Sequence, residues 1–309
     1  MKDVSYRQLV LEGEDTKSFK ELHNILFKNT AMSDEWMRWY FTISEDVRVY
    51  GAFADKVLVG IWCVEGKHLN VPLRGMTNVG RCFSVGVHPS FQRKGIFLNL
   101  SKFAIAQEKK KGKYEYILGF PQFGKSVIDG HLKAGWEFVQ NIEMCSIRPN
   151  IVDEASSLSS VKTLSRFDDD QLEYVQTNNL GDFRLTTKYR NQRWMNHPDT
   201  HYICLSIDDA HIVLKQYGDS CHIVELAGPN EDVADLLEAT KTLARRHAWK
   251  EVNLWCAEND CKHDIIKGCG FSLGSERGIG VKLLAVKINA GVSLKLNECN
   301  FQMGLEEVY

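Results

Sequence analysis

The chain has 309 residues, 44% hydrophobic and 25% charged, with a formal net charge of −2. This is the composition of a globular protein with room for one large domain or two ordinary ones, without the basic field of a nucleic-acid binder. No apolar run is long enough to cross a bilayer and no export segment follows Met1, so a cytoplasmic protein with neither a nucleic-acid nor a membrane partner is expected.

In chain order, a helix over Ser18–Asn29 precedes an aromatic segment, Trp36-Met37-Arg38-Trp39-Tyr40-Phe41. Strands are predicted over Val47–Phe53 and Val57–Val64, joined at Ala54-Asp55-Lys56, and over Arg81–Val87, ending at His88-Pro89 because proline cannot continue a ladder. A glycine turn then opens a helix over Gly95–Lys111, with apolar Ile96, Leu100, Phe103 and Ala104 on one face. Lys109, Lys110 and Lys111 suit its C-terminal dipole, and Gly112 stops it. A strand over Tyr114–Phe120, a short helix and Gly135-Trp136 follow.

The second half repeats this order. A hairpin, Tyr202–Ile207 with His211–Tyr217, turns at Asp208-Asp209. The strand Cys221–Ala227 ends at Gly228-Pro229, a helix carries Val233, Leu236, Leu237, Thr240 and Leu243, and the strand Glu251–Cys256 precedes Gly270-Phe271. A last strand covers Val281–Ile288. The repeat predicts duplicated domains, 1–148 and 166–309, with a polar, serine-rich linker at 149–165.

The nine cysteines sit mostly in apolar runs and read as reduced, buried thiols. Cys256, Cys261, His263 and Cys269 lack the paired short spacing of a zinc site, so no metal is expected.

The chemistry is concentrated at Gln92-Arg93-Lys94-Gly95-Ile96-Phe97. A turn leading into a helix offers free amides and the positive end of the dipole, and glycine lets the backbone approach a phosphate. Arg93 and Lys94 add charge, and a pyrophosphate is the natural occupant. The matching turn, Gly228-Pro229-Asn230-Glu231-Asp232, is acidic and would repel one. Only the first half is therefore expected to bind, and Gly228→Glu is expected to leave binding intact where Gly95→Glu abolishes it.

The segment from Val87 to Phe97 resembles the phosphate loop of the GCN5-related N-acetyltransferases (GNAT), Q/R-x-x-G-x-G/A, with Phe97 departing at the last position. Leu132-Lys133-Ala134-Gly135-Trp136 is similar to that family's Tyr-x-x-x-Gly-Phe ending. The resemblance implies an α+β fold: two GNAT-like domains in tandem, each a mixed, splayed β-sheet flanked by helices. It implies acetyl-coenzyme A as cosubstrate, and acetyl transfer to a primary amine of a small molecule.

Residue by residue, the resemblance puts the cosubstrate against Val85, Val87, Gln92, Arg93, Lys94, Gly95, Ile96 and Phe97, with Gln122 and Ser126 further along the pantetheine arm. Gly86 suggests a bulge in that strand. His131 stands where the family has its acidic tyrosine, and Trp36 and Trp39 lie where acceptors bind. An aromatic pair there suits a sugar ring, and Gly-Ile-Phe loops resemble those of members associated with surface-polysaccharide sugars, so an amino sugar or nucleotide sugar is one expected acceptor. Glu65, His68 and His88 are the unranked candidates for a base. The competing reading is a coenzyme A-binding regulator or inactive scaffold. The oligomeric state is not encoded in any of these features.

Overall fold

The computed structural model describes residues 3–28, 32–44, 46–149, 160–168, 183, 185–257, 259–274 and 278–305. Most of the expected linker, 150–159, and the last four residues lie outside them.

The first half begins with β1 (Val4–Gln8), α1 (Gly13–Leu26) and α2 (Asp34–Ile43). The aromatic segment is thus a helix: Ser33 caps it by accepting from the Trp36 amide at 2.9 Å, and Trp36, Met37, Tyr40 and Ile43 form its buried face. β2 (Val47–Ala54) and β3 (Val57–Val71) turn at Asp55 and Lys56, both left-handed, which matches the twist of a two-residue hairpin. β4 (Gly75–Val87) pairs with β3 along its whole length. Both strands outrun their predicted bounds because Lys67, His68, Asn70 and Asn78 interrupt the apolar pattern without interrupting the ladder.

α3 (Ile96–Lys111) buries Ile96, Leu100 and Ala104 against Tyr50, Trp62 and Ile117, and stops at left-handed Gly112. β5 (Tyr116–Gly119), α4 (Val127–Lys133) and β6 (Glu137–Ile147) complete this half. The second half runs through β7 (Lys162–Thr163), α5 (Thr187–Arg190) with a π-helical continuation to Met195, β8 (Tyr202–Ile207), β9 (Ala210–Tyr217) and β10 (Ser220–Ala227). α6 (Asn230–Arg246), β11 (Glu251–Ala257), α7 (His263–Gly268) and β12 (Gly280–Lys287) follow.

All these strands form one mixed sheet in the order β1-β2-β3-β4-β5-β12-β6-β11-β10-β9-β8-β7. The halves exchange strands. β12, from the end of the chain, lies between β5 and β6, with Leu284 opposite both Gly119 and Phe138. β6, from the first half, lies between β12 and β11, with Met144 opposite Trp255. Helix α3 covers one apolar core and α6 its counterpart, so each half keeps a helix-on-sheet layer while the sheet runs through both.

Candidate active site

β4 and β5 are parallel neighbours for three residues, Val79–Arg81 against Tyr116–Leu118. Beyond the Arg81–Leu118 pair β4 continues to Val87 with β3 on one side and, among the described residues, no paired strand on the other. An extra residue is inserted between Phe83 and Gly86, where Ser84 takes a left-handed φ of 44°. The expected bulge is therefore present just before Gly86, and it reorients the strand's free end. Gly86 itself makes room for α1, since a Cβ there would lie 2.8 Å from Leu26 Cδ1.

The direction of the free backbone groups follows from alternation. The His88 amide donates back to Val59 O at 2.8 Å, toward β3. Val87 then faces the gap, and its carbonyl accepts from Gln92 Nε2 at 3.1 Å. Gln92 so folds the turn onto the strand end, while Val85, two residues back, belongs to the bulged pair Ser84-Val85 opposite Trp62.

The turn uses left-handed backbone at Arg93 (φ 60°) and Gly95 (φ 76°). A Cβ on Gly95 would have only Asn99 Nδ2, at 4.0 Å, within reach, so the glycine looks onto open space. Arg93 is exposed, whereas Lys94 turns back to donate to Ser90 O at 3.3 Å, its ammonium 5.0 Å above the Phe91 ring. No acidic residue sits in the first turn of α3, which opens with Ile96 and Phe97.

The second copy differs at each point. Glu231 and Asp232 occupy the first turn of α6, and burial together with Asp208 and Asp209 raises the Asp232 pKa. A Cβ on Gly228 would lie 2.4 Å from Ala210 Cα, so this glycine is a packing glycine against backbone. A glutamate side chain at 228 has no room, so Gly228→Glu would disturb packing in the second half whatever its effect on binding in the first.

Phe97 reaches from α3 to α4. A Cβ on Gly130 would stand 2.6 Å from Phe97 Cε1, and the Phe97 ring meets the His131 ring edge-on at 5.2 Å. His131 is 5% exposed, held between Phe97 and Trp136, whose centroid is 4.7 Å away. Burial lowers its pKa to about 4, and its Nδ1 has no hydrogen-bond partner. At neutral pH His131 is therefore an uncharged imidazole. Trp136 in turn lies over Gly119, the first residue of β5 past the last pair with β4. Gln122 is exposed and bridges Val281 of β12, and Ser126 is exposed just before α4.

The opposite face of the sheet corrects three expectations. Trp36 is 5% exposed and stacks on Tyr40 at 5.0 Å, so it has no free face for a sugar. Trp39 donates from Nε1 to Gln192 O at 3.1 Å and packs on His197 at 4.4 Å, forming a seam with the second half rather than a platform. Glu65 is buried in a cluster the sequence reading missed. Arg81 Nη2 donates to Glu65 Oε2 at 2.7 Å and to the Tyr40 hydroxyl at 2.9 Å. Ser44 and Lys67 donate to Glu65 Oε1 at 2.5 and 2.6 Å. Burial alone would raise the Glu65 pKa, but Lys67 and Arg81 outweigh it and hold the carboxyl at about 2, too weak a base to take a proton from an amine. The cluster opens on a cleft of about 410 Å³, lined by Ser44, Glu65, Lys67, His68, Tyr189 and Gln192.

Diverging parallel strands, a bulge on the longer one and a glycine turn into a helix define the fold of the GCN5-related N-acetyltransferases, here present twice in one chain. No family model and no curated protein sequence matches the chain. Among solved structures it is similar to a probable N-acyltransferase from Enterococcus faecalis V583, at a TM-score of 0.67 and 14% identity over 95% of this chain and 73% of that one. A GCN5-related N-acetyltransferase from Kribbella flavida superposes with a TM-score of 0.64 at 14% identity, over 93% of this chain and 73% of that one. A tandem GNAT protein from the clavulanic acid biosynthesis pathway gives 0.63 at 11% identity, covering 93% and 99% of the two chains.

Proposed function

We propose that the first half binds acetyl-coenzyme A along the free edge of β4 and transfers the acetyl group to a primary amine. The observation that carries this reading is the parting of β4 from β5 after the Arg81–Leu118 pair, beside a turn with an open glycine at 95. Amides at Val85 and Val87 would hydrogen-bond the carbonyls of a pantetheine arm, and the first turn of α3 with Arg93 would take its pyrophosphate. Gln122 and Ser126, both exposed, would lie along the arm. The same binding mode requires no metal.

The bound thioester supplies an activated acyl carbon. The amine's lone pair attacks that carbon, the C–S bond breaks, the ammonium proton leaves and the thiolate gains one. A β4 amide near Val85 stabilises the oxyanion that forms on the way. His131, neutral at pH 7, acts here by donating a hydrogen bond toward the leaving sulfur rather than as an imidazolium acid. The cleft beside Glu65 and Lys67 admits the acceptor, and amino sugars and nucleotide sugars are the acceptors to assay first.

The second reading, a coenzyme-binding protein without turnover, is favoured by the enclosure of His131 between Phe97 and Trp136. Thiol release from acetyl-coenzyme A across a panel of primary amines distinguishes the two. Amine-dependent release is expected; saturable binding with no release on any amine supports the second.

A further inference from the structure

The second half parts its strands in the same way, and the gap is filled. β10 pairs with β11 only over Ser220–Ile223 against Glu251–Leu254. It then carries an extra residue at Val224 and continues to Ala227. Peptide groups of a strand lie in the plane of the sheet, so its outward amides and carbonyls need another partner once a neighbour departs.

That partner is the chain's own end. The Leu226 amide donates to Gln302 Oε1 at 2.5 Å. Gly304 lies against the bulge: a Cβ there would be 2.6 Å from Val224 O and 2.9 Å from the Trp194 ring, so only glycine permits the approach. Phe301 is 2% exposed, edge-on to Phe120 at 5.2 Å, and Met303 is 4% exposed.

We propose that the parted strands of the second half form a self-occupied binding cleft for a peptide segment bearing a carboxamide, and that Phe301–Gly304, which enters a 3-10 turn at Met303, is its resident ligand. Gln302 presents a carboxamide oxygen to a strand amide, and Gly304 allows the close backbone approach. The second half is then closed by occupancy as well as by its acidic turn. This inference does not depend on acetyl transfer in the first half.

The test uses the full chain and two variants, Gln302→Ala and Gly304→Glu. Hydrogen–deuterium exchange reads the Leu226 amide, and fluorescence anisotropy reads binding in trans of a labelled peptide with the sequence of residues 300–305. The proposal expects exchange at Leu226 to rise at least tenfold in Gln302→Ala. It also expects the peptide to bind the Gly304→Glu chain saturably but not the parent, and to lose at least tenfold when its glutamine is replaced by alanine. Exchange at the parent rate in Gln302→Ala overturns it, even if Gly304→Glu fails to fold. So does a folded Gly304→Glu chain that ignores the peptide, or binds both peptides equally.

Discussion

The ring of Phe97 occupies the space that a side chain at Gly130 would need, 2.6 Å from where its Cβ would stand. Phe97 departs from the resemblance to a phosphate loop at its last position, and Gly130, 33 positions later, accommodates it. The pair joins the first turn of α3 to α4 and encloses His131.

Gly130→Ala tests that pairing. Alanine favours a helix over glycine by roughly 1 kcal/mol, whereas overpacking costs about 1–3 kcal/mol. A net loss of stability is expected by thermal denaturation in the parent. In a Phe97→Ala background the same change is expected to be neutral or stabilising, and equal effects in both backgrounds would rule the contact out.

The buried Glu65–Arg81 pair predicts a large effect from a small change. Arg81→Met leaves Glu65 with Lys67 as its remaining cation within 4 Å among the described residues, while Glu65→Gln removes the buried carboxylate charge that Arg81 and Lys67 share. Breaking such a pair costs on the order of 3–5 kcal/mol, so Glu65→Gln is expected to lower the unfolding midpoint in denaturant well beyond a surface change. A midpoint within error of the parent's would show the pair to be dispensable.

Acid sensitivity follows from His131. Its folded-state pKa, lowered by burial to about 4, lies below the ordinary 6.5, so between these values the unfolded chain binds the extra proton. Stability is expected to fall as pH drops from 6.5 to 4, by at most about 3 kcal/mol for this residue, and to be unaffected by it above that window. His131→Phe should reduce the slope of that part of the stability–pH curve, to which His23, His197 and His222, also lowered by burial, contribute as well, measured by urea unfolding at successive pH values. Loss of Glu65 ionisation belongs to a separate, more acidic window, below about 4.5 and through its folded value of about 2.

The acidic turn predicts how the second half responds to charge reversal. Since Gly228 is pinned against Ala210, the informative change is Glu231→Lys, at an exposed position in the first turn of α6. It is expected to leave acetyl-coenzyme A affinity in the first half within about twofold by calorimetry, given the screening of exposed charges by salt. A tenfold change would tie the two turns together.

Much of this architecture was legible in the sequence, because helix α3, strands β8 to β10 and the hairpin at Asp208-Asp209 announce themselves through periodicity and turn residues. The exchange of β6 and β12 was not: strand alternation encodes which face is buried, not which neighbour a strand takes. The loop from Gln92 to Gly95 could be read from local glycine chemistry, whereas Glu65 and Arg81 are 16 residues apart on adjacent strands and meet only through the β3–β4 register. Trp36 and Trp39 looked alike as aromatics; helix α2 sends the first into the core and the second to the seam. Gln302 carried no signal at all, since its partner is a backbone amide.

The central claim is one coenzyme site per chain, at the first pair of parted strands. Titration calorimetry of acetyl-coenzyme A into the parent and Gly95→Glu tests it most directly. One saturable site, lost in a Gly95→Glu chain whose circular dichroism is unchanged, is predicted. Affinity unchanged by Gly95→Glu, or two equivalent sites in the parent, would contradict it.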